Sequence, residues 1–128
     1  MTYRGNEFLF DGVKLKKLAK KFSTPIYCYS LKRIKKNVED FKNAFKKFDP
    51  IICYSVKANP NKILLREIGK LGLGADVVSL GELMKALKSG IKPSKIVFSG
   101  VGKTANEISF AINKKILLIN AESKSEIL

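Results

Sequence analysis

The sequence predicts an α/β fold built on a parallel sheet, and two observations lead to that prediction. Apolar runs typical of buried strands begin near Ile51, Ala75, Ile96 and Ile116, and segments with helical spacing separate them. The repeating unit is therefore a strand, a loop and a helix at intervals of about 20 to 25 residues. Strands joined in this way run parallel, because the helix returns the chain to the same end of the sheet.

Two helices and a short strand are predicted ahead of this repeat. Helical spacing over residues 15–22 stops at Ser-Thr-Pro, and Ile26–Tyr29 is typical of a strand. Ser30 is a suitable N-cap for a second helix that ends at Asp49-Pro50. Its apolar residues recur three and four positions apart: Leu31, Ile34, Val38, Phe41, Phe45 and Phe48. The apolar run Ile51–Val56 then favours a parallel strand buried on both faces.

Helix starts and stops in the repeat carry recognisable signals. Three segments have the capping-box pattern, in which a hydroxyl and a glutamate three residues later cap the helix reciprocally: Ser79–Glu82, Thr104–Glu107 and Ser123–Glu126. Glycines with positive φ are expected at helix ends, at Gly69, Gly72, Gly74 and Gly90.

The last of these boxes begins a helix over Ser123–Leu128 that has no full turn pair and no stop signal. We therefore expect the sequence to break off inside an element. About four strand–helix units fit either a small open sheet or half of an eight-stranded barrel. Periodicity alone leaves these two alternatives open.

Composition excludes several kinds of chemistry. Histidine is absent from the 128 residues, so this stretch supplies no His-ligated zinc, no Ser-His-Asp triad and no imidazole base. The sequence has neither a membrane-spanning apolar run nor a signal-peptide pattern, which favours a cytoplasmic protein. Cys28 and Cys53 stand alone in apolar runs and are expected to be buried, reduced thiols.

The net charge of +14 raises the possibility of a small basic module that binds RNA or another polyanion. Lysine supplies nearly all of that charge, since Arg4, Arg33 and Arg66 are the only arginines, and lysine is the weaker residue for bidentate recognition. The basic residues are spread over both halves of the chain on polar helix positions. A lysine-rich solvated surface explains this distribution, and we expect no nucleic-acid partner and no membrane partner.

Lys57 is the candidate for covalent chemistry. It follows the first apolar strand at the end where α/β sheets place functional groups. Partial burial by Ile51, Ile52 and Val56 would favour the neutral amine, which is a nucleophile toward an aldehyde. Pyridoxal 5′-phosphate is the common protein-bound aldehyde of this kind, although many strand-end lysines simply reach solvent.

A nucleotide-binding loop is the weaker alternative. Residues 100–104, Gly-Val-Gly-Lys-Thr, end like a Walker A motif, but Val97 occupies the position of its leading glycine. This substitution argues against nucleoside triphosphate binding.

Four blocks with matching order and spacing resemble the N-terminal part of the diaminopimelate decarboxylase family, which belongs to the fold-type III, alanine racemase-like barrels. They are Tyr54–Asn59 (YSVKAN), Ala75–Leu83 (ADVVSLGEL), Lys95–Thr104 (KIVFSGVGKT) and Ile119–Ser123 (INAES). Thr24–Tyr29 resembles the family's lead-in. The likeness extends from about Leu15 to the end of the chain. The lysine block is shared with related decarboxylases and racemases, whereas the FSGVGK block favours diaminopimelate.

The resemblance implies the N-terminal portion of a TIM (β/α)8 barrel that binds pyridoxal 5′-phosphate and converts meso-2,6-diaminopimelate into L-lysine. It implies that Lys57 forms a Schiff base with the cofactor and that Asp76 and Glu82 lie near the cofactor. No metal is implied. Residues 1–30 would be a lead-in that packs with a β domain, residues 31–128 a truncated barrel domain, and the full-length enzyme a homodimer.

The resemblance also indicates what is missing. A glycine-rich phosphate loop, a histidine that stacks on the pyridine ring, an acidic partner for the ring nitrogen and a cysteine-bearing segment from a second subunit have no counterpart here. We therefore expect the 128 residues alone to be inactive. An ornithine or arginine decarboxylase, or a racemase, remains the alternative within this class, because the residues that bind the far end of the substrate are not in this chain.

Overall fold

The computed structural model describes residues 1–127. The chain divides into two compact units, Met1–Ala44 and a second that begins at Phe45. Leu128, the last residue of the predicted barrel domain and of the last predicted helix, lies outside the described residues. The predicted boundary between residues 30 and 31 stays a prediction.

The N-terminal unit begins with a three-stranded antiparallel sheet that the sequence analysis missed. Its strands are β1 (Thr2–Arg4), β2 (Glu7–Phe10) and β3 (Val13–Lys14). The β2–β3 turn places Asp11 and Gly12 at φ of 49° and 80°, the left-handed conformation that an Asp-Gly hairpin turn requires. That dipeptide was the available sequence signal.

Helix α1 (Leu15–Phe22) has the predicted bounds. The strand predicted at Ile26–Tyr29 is wrong, because no described strand pairs with this segment and Tyr27 is 90% exposed. Strand composition without a hydrogen-bonding neighbour does not make a strand.

Helix α2 (Leu31–Ala44) begins as predicted, with the backbone amide of Arg33 donating to Ser30 Oγ at 2.9 Å. It ends before the predicted stop at Asp49-Pro50, because Phe45–Phe48 close a turn through a 2.9 Å bond between their backbone groups. Phe41, Phe45 and Phe48 are all exposed, so burial does not stabilise a longer helix here.

The second unit contains the predicted parallel sheet. Its strands lie in the order β4 (Cys53–Ser55), β5 (Gly74–Val77), β6 (Ile96–Phe98) and β7 (Leu118–Ile119), and every pairing is parallel. Strand β4 is shorter than the predicted Ile51–Val56 and only half-buried. It is the edge strand of the described sheet, paired on one side only, so the prediction of burial on both faces is wrong for it.

Helices α3 (Lys62–Lys70), α4 (Leu80–Lys88) and α5 (Ala105–Asn113) follow successive strands. The core is formed by apolar residues of these helices, of one face of the sheet and of the segments that join them: Val56, Leu64, Leu65, Ile68, Leu73, Ala75, Val77, Leu83, Ala86, Ile91, Ile96, Phe98 and Ala111. Each large side chain buried in this way stabilises the fold by roughly 1.5–3 kcal/mol. Strand residues alternate between faces, so those between the core residues point to the opposite, half-buried face.

Of the three predicted capping boxes, one is complete, one is partial and one is not formed. Thr104 and Glu107 form the complete reciprocal box at the start of α5. Ser79 caps α4, but the Glu82 carboxylate accepts from the backbone amide of Val78 rather than from that of Ser79. The third prediction is wrong: Ser123 makes no side-chain capping bond, and residues 124–126 form a single 3-10 turn.

The glycines serve two different purposes. Gly72 and Gly90 have the predicted positive φ at the ends of α3 and α4. Gly69 and Gly74 do not, so the prediction is wrong for these two. Gly74 is the first residue of β5, where a Cβ atom would come within 2.0 Å of the backbone oxygen of Lys95. Close approach of two backbones, not a turn, requires glycine there.

Candidate active site

The candidate site lies at the carboxyl end of the parallel sheet. Lys57 is in the 3-10 turn Val56–Ala58 that directly follows β4. Ser55, the last residue of β4, is paired in register with Asp76 of β5. The fold therefore brings the predicted Lys57 and Asp76 to the same end of two neighbouring strands.

Asp76 is held by serines from both neighbouring strands. Ser99, directly after β6, donates to Asp76 Oδ1 at 2.7 Å, and Ser55 donates to Oδ2 at 3.4 Å. Asn120, directly after β7, donates from Nδ2 to Ser99 Oγ at 3.0 Å. We call Ser55, Asp76, Ser99 and Asn120 the polar ladder, because one residue comes from each strand or the position directly after it.

Three members of this ladder were not among the predicted site residues. Ser55, Ser99 and Asn120 each end or follow an apolar run, and this position was the available signal. It could not show which of them meet, because that depends on the register between strands far apart in sequence.

Lys57 is exposed, so the partial burial expected from its apolar neighbours is wrong. Val56 enters the core instead, at 0% exposure. Among residues 1–127, the Lys57 amine has no hydrogen bond and no ion pair that would block an incoming aldehyde. The structure thus makes this amine accessible by exposure.

The Glu82 carboxylate accepts a backbone hydrogen bond at the start of α4. Its Oε2 accepts from the Val78 amide at 3.0 Å, and the residue is half-buried. No hydrogen bond or ion pair within the described chain joins Glu82 to Lys57 or to Asp76. The structure therefore gives Glu82 a capping contact, and its expected role beside the cofactor stays a prediction.

Cys53 lies on the same face of β4 as Ser55. Burial raises the pKa of its thiol, and the nearby charge of Asp76 raises it further, while Lys95 opposes both effects. The thiol also approaches the backbone oxygen of Lys95 at 3.6 Å. Cys53 and Cys28 are both free and only half-buried, so the expectation that they are buried is wrong.

The loop that resembles a phosphate-binding motif has its lysine turned inward. The Lys103 side chain is 1% exposed, donates to the backbone oxygen of Gly100 and pairs with Glu126 Oε2 at 3.0 Å. The backbone amide of Glu122, and after it Lys103, lower the pKa of Glu126. Because Lys103 is already paired, the geometry agrees with the argument against a nucleotide site.

Metal and membrane features are absent from the part of the chain that the structure describes. No group of three or more histidine, cysteine or carboxylate residues is placed to hold a metal ion among residues 1–127. Within the same residues, no helix combines the length and the apolar character needed to cross a membrane.

The residues present fit the attachment of pyridoxal 5′-phosphate. The accessible Lys57 amine matches the aldehyde of the cofactor, and a half-buried carboxylate lies at the same end of the next strand. The paired Lys103 leaves that lysine unavailable to a phosphate group.

Comparison with known proteins agrees with this assignment. The family described as "Pyridoxal-dependent decarboxylase, pyridoxal binding domain" matches residues 31–128. A diaminopimelate decarboxylase from Aquifex aeolicus is 48% identical over 99% of this chain and 30% of its own length.

Solved structures agree as well. The diaminopimelate decarboxylase of Helicobacter pylori, crystallised with L-lysine, superposes with a TM-score of 0.84 at 46% identity, over 88% of this chain and 29% of that one. The enzyme from M. jannaschii gives a TM-score of 0.95 at 40% identity, over 98% and 30%.

The 128 residues span about 30% of the length of these relatives. They correspond to the first strand–helix units of a pyridoxal-binding barrel. The predicted fold class, part of such a barrel, is therefore confirmed, and the alternative of a small open sheet is not. The chain belongs to the pyridoxal-dependent decarboxylase family, as part of its pyridoxal-binding domain.

Proposed function

We propose that the protein removes carbon dioxide from meso-2,6-diaminopimelate to give L-lysine, with pyridoxal 5′-phosphate bound to Lys57. The observation that carries this proposal is the 48% identity to a diaminopimelate decarboxylase across 99% of the chain. The relative from Helicobacter pylori was crystallised with L-lysine, the expected product.

The described residues would have separate roles in binding the cofactor and in supporting the site. Lys57 supplies the amine that binds the aldehyde carbon, and its exposure leaves room for a substrate amine to replace it. Asp76 presents a carboxylate at the same end of the sheet as Lys57, while Ser55 and Ser99 fix the two carboxylate oxygens. Glu82 keeps the start of α4 in place beside β5. When bound, the cofactor supplies a ring that accepts the electron pair left by departing carbon dioxide.

Three further parts of the proposal concern the whole protein. Residues 1–30 serve as a lead-in that packs with a β domain, and residues 31–128 contribute to the barrel. The enzyme works as a homodimer in the cytoplasm on a small amino-acid substrate, without a nucleic-acid or membrane partner. Phosphate anchoring and recognition of the substrate's far end come from residues outside this sequence.

A related decarboxylase of ornithine or arginine is the second candidate. The arginine decarboxylase of Paramecium bursaria Chlorella virus superposes on 73% of the chain with a TM-score of 0.58 at 27% identity. Ornithine decarboxylase from Entamoeba histolytica gives a TM-score of 0.58 at 32% identity. These values are lower than those of the diaminopimelate enzymes, which is why we favour diaminopimelate.

A substrate comparison tests the proposal. Release of carbon dioxide by the full-length protein with pyridoxal 5′-phosphate is measured on meso-2,6-diaminopimelate, L-ornithine and L-arginine. We expect activity on the first alone, its loss in Lys57→Ala, and its retention in Lys62→Ala, which changes another exposed lysine. Preference for ornithine or arginine would replace the proposed substrate, and full activity in Lys57→Ala would refute the proposed role of Lys57.

A further inference from the structure

The polar ladder has a direction that follows from the chemistry of its members. An ionised Asp76 carboxylate has only acceptor atoms, so at the 2.7 Å contact the Ser99 hydroxyl must be the donor. A serine hydroxyl carries one proton, so Ser99 can meet Asn120 only as an acceptor. The Nδ2 group of Asn120, 3.0 Å away, supplies that donor. Protons thus point in one direction, from Asn120 through Ser99 to Asp76.

Backbone pairing fixes Ser99 and Asn120. The backbone amide of Ser99 donates to the carbonyl of Val77 at 2.8 Å, and that of Asn120 donates to Phe98 at 2.9 Å. Both residues therefore continue the parallel hydrogen bonding of the sheet beyond the ends of β6 and β7. Their side chains start from a fixed backbone, which is the condition for orienting a third group.

The register places the ladder on the face opposite the core. Asp76 is aligned with Val97, and Ser99 lies two residues beyond Val97 on the same face. Leu118 is also aligned with Val97, and Asn120 lies two residues beyond Leu118. The contacts therefore run across the sheet at its carboxyl end, toward the strand that precedes Lys57.

We propose that Ser99 and Asn120 are positioning residues that orient the Asp76 carboxylate toward the group attached to Lys57. This inference rests on the proposed function, because it assigns a purpose to the orientation of Asp76. Neither residue needs to touch the cofactor or the substrate. Asn120 orients the Ser99 hydroxyl, and Ser99 fixes one carboxylate oxygen.

The test uses the visible absorbance of lysine-bound pyridoxal 5′-phosphate in the full-length protein. This absorbance changes when the nitrogen that joins lysine and cofactor loses its proton, and a nearby carboxylate favours the protonated form. We expect Ser99→Ala to lower the midpoint pH of the change by about one unit, a tenfold effect on the equilibrium. Asn120→Ala acts through Ser99 and is expected to produce about a threefold effect, since it removes a weaker, neutral hydrogen bond.

Matched variants separate positioning from general damage. Ser99→Thr keeps the hydroxyl and should have a midpoint pH close to that of the wild type. Ser109→Ala, at an exposed serine of α5, should leave the midpoint unchanged. In an Asp76→Asn background, Ser99→Ala should have less than a twofold further effect, because Ser99 acts through Asp76. Acetylation of Lys103, which is 1% exposed, reports any opening of the neighbouring loop.

Each outcome bears on the proposal. The expected midpoint shifts, with Lys103 still protected, support it. An unchanged midpoint, an effect of Ser99→Ala that persists in the Asp76→Asn background, or exposure of Lys103 in Ser99→Ala would overturn it, while attachment at Lys57 would remain intact. A wild-type protein that carries no cofactor on Lys57 would refute the proposed function, and this inference with it.

Discussion

Gly74 gives the sharpest prediction about how the fold supports the site. In a Gly74→Ala variant, the new Cβ atom would lie 2.0 Å from the backbone oxygen of Lys95 and 2.9 Å from Cys53 Sγ. The first of these contacts is with backbone, which cannot rotate away as a side chain can. The Gly74 amide also donates to the Ile52 carbonyl at 2.8 Å, so β5 is held on both sides.

The size of the effect follows from two opposing terms. Overpacking of a buried site costs about 1–3 kcal/mol and occasionally more, and a contact this short with backbone belongs at the upper end, at about 3 kcal/mol. Replacing glycine by alanine restricts the unfolded chain and offsets only about 0.4–1 kcal/mol of that cost. We therefore expect Gly74→Ala to lower the free energy of unfolding by about 2–3 kcal/mol.

Thermal or urea unfolding of the full-length protein measures this change. The matched control is Gly81→Ala in α4, where the nearest atom to the new Cβ is Ser79 Oγ at 3.9 Å. This variant should be neutral or more stable by up to about 1 kcal/mol, because alanine favours a helix over glycine. A Gly74→Ala protein within about 0.5 kcal/mol of the wild type would refute the close-approach argument.

Three further predictions concern the core and the start of α5. Phe98→Ala should lower the free energy of unfolding by about 3–5 kcal/mol, because Phe98 is fully buried. Phe22→Ala, at a 60% exposed residue, should change it by less than about 0.5 kcal/mol. Similar losses in both variants would contradict the assigned core. Thr104→Ala should cost about 1 kcal/mol in urea unfolding by removing the helix cap, and an unchanged unfolding midpoint would show that the cap is dispensable. The backbone amides of Thr104 and Leu80 lower the pKa of Glu107. The ionised Glu107 side chain therefore contributes to the free energy of unfolding above the ordinary glutamate pKa, and this contribution is lost as pH falls through the lowered pKa. The stability difference between wild type and Glu107→Gln should therefore shrink toward low pH, and a difference that grows on acidification would reverse the assigned sign.

The repeat of strands and helices could be predicted because its signals are local. The Thr104–Glu107 box and the positive φ at Gly72 each depend on a few neighbouring residues, and the structure has both. The end of α2 could not be predicted in this way. Helical spacing continues to Phe48, but the phenylalanines at this end are exposed, so burial does not stabilise further helical turns. Strand composition at Ile26–Tyr29 failed for a related reason, since a strand needs a partner that composition does not specify.

The candidate site could be predicted only in part. Lys57 was found from its place after an apolar run and Asp76 from the family resemblance, and both lie at the carboxyl end of the sheet. Ser99 and Asn120 were not found, because their contacts depend on the register of strands more than 20 residues apart. The expected burial of Lys57 was wrong, because the 3-10 turn after β4 turns Val56 rather than Lys57 into the core.

The central claim is that Lys57 carries the cofactor, and mapping that attachment tests it most directly. The full-length protein is incubated with pyridoxal 5′-phosphate, the linkage is fixed with borohydride, and the modified peptide is identified by mass spectrometry. Our account predicts the label on Lys57, with Lys103 unlabelled because its side chain is 1% exposed and paired with Glu126. A label confined to another lysine, with Lys57 unmodified, would contradict the account.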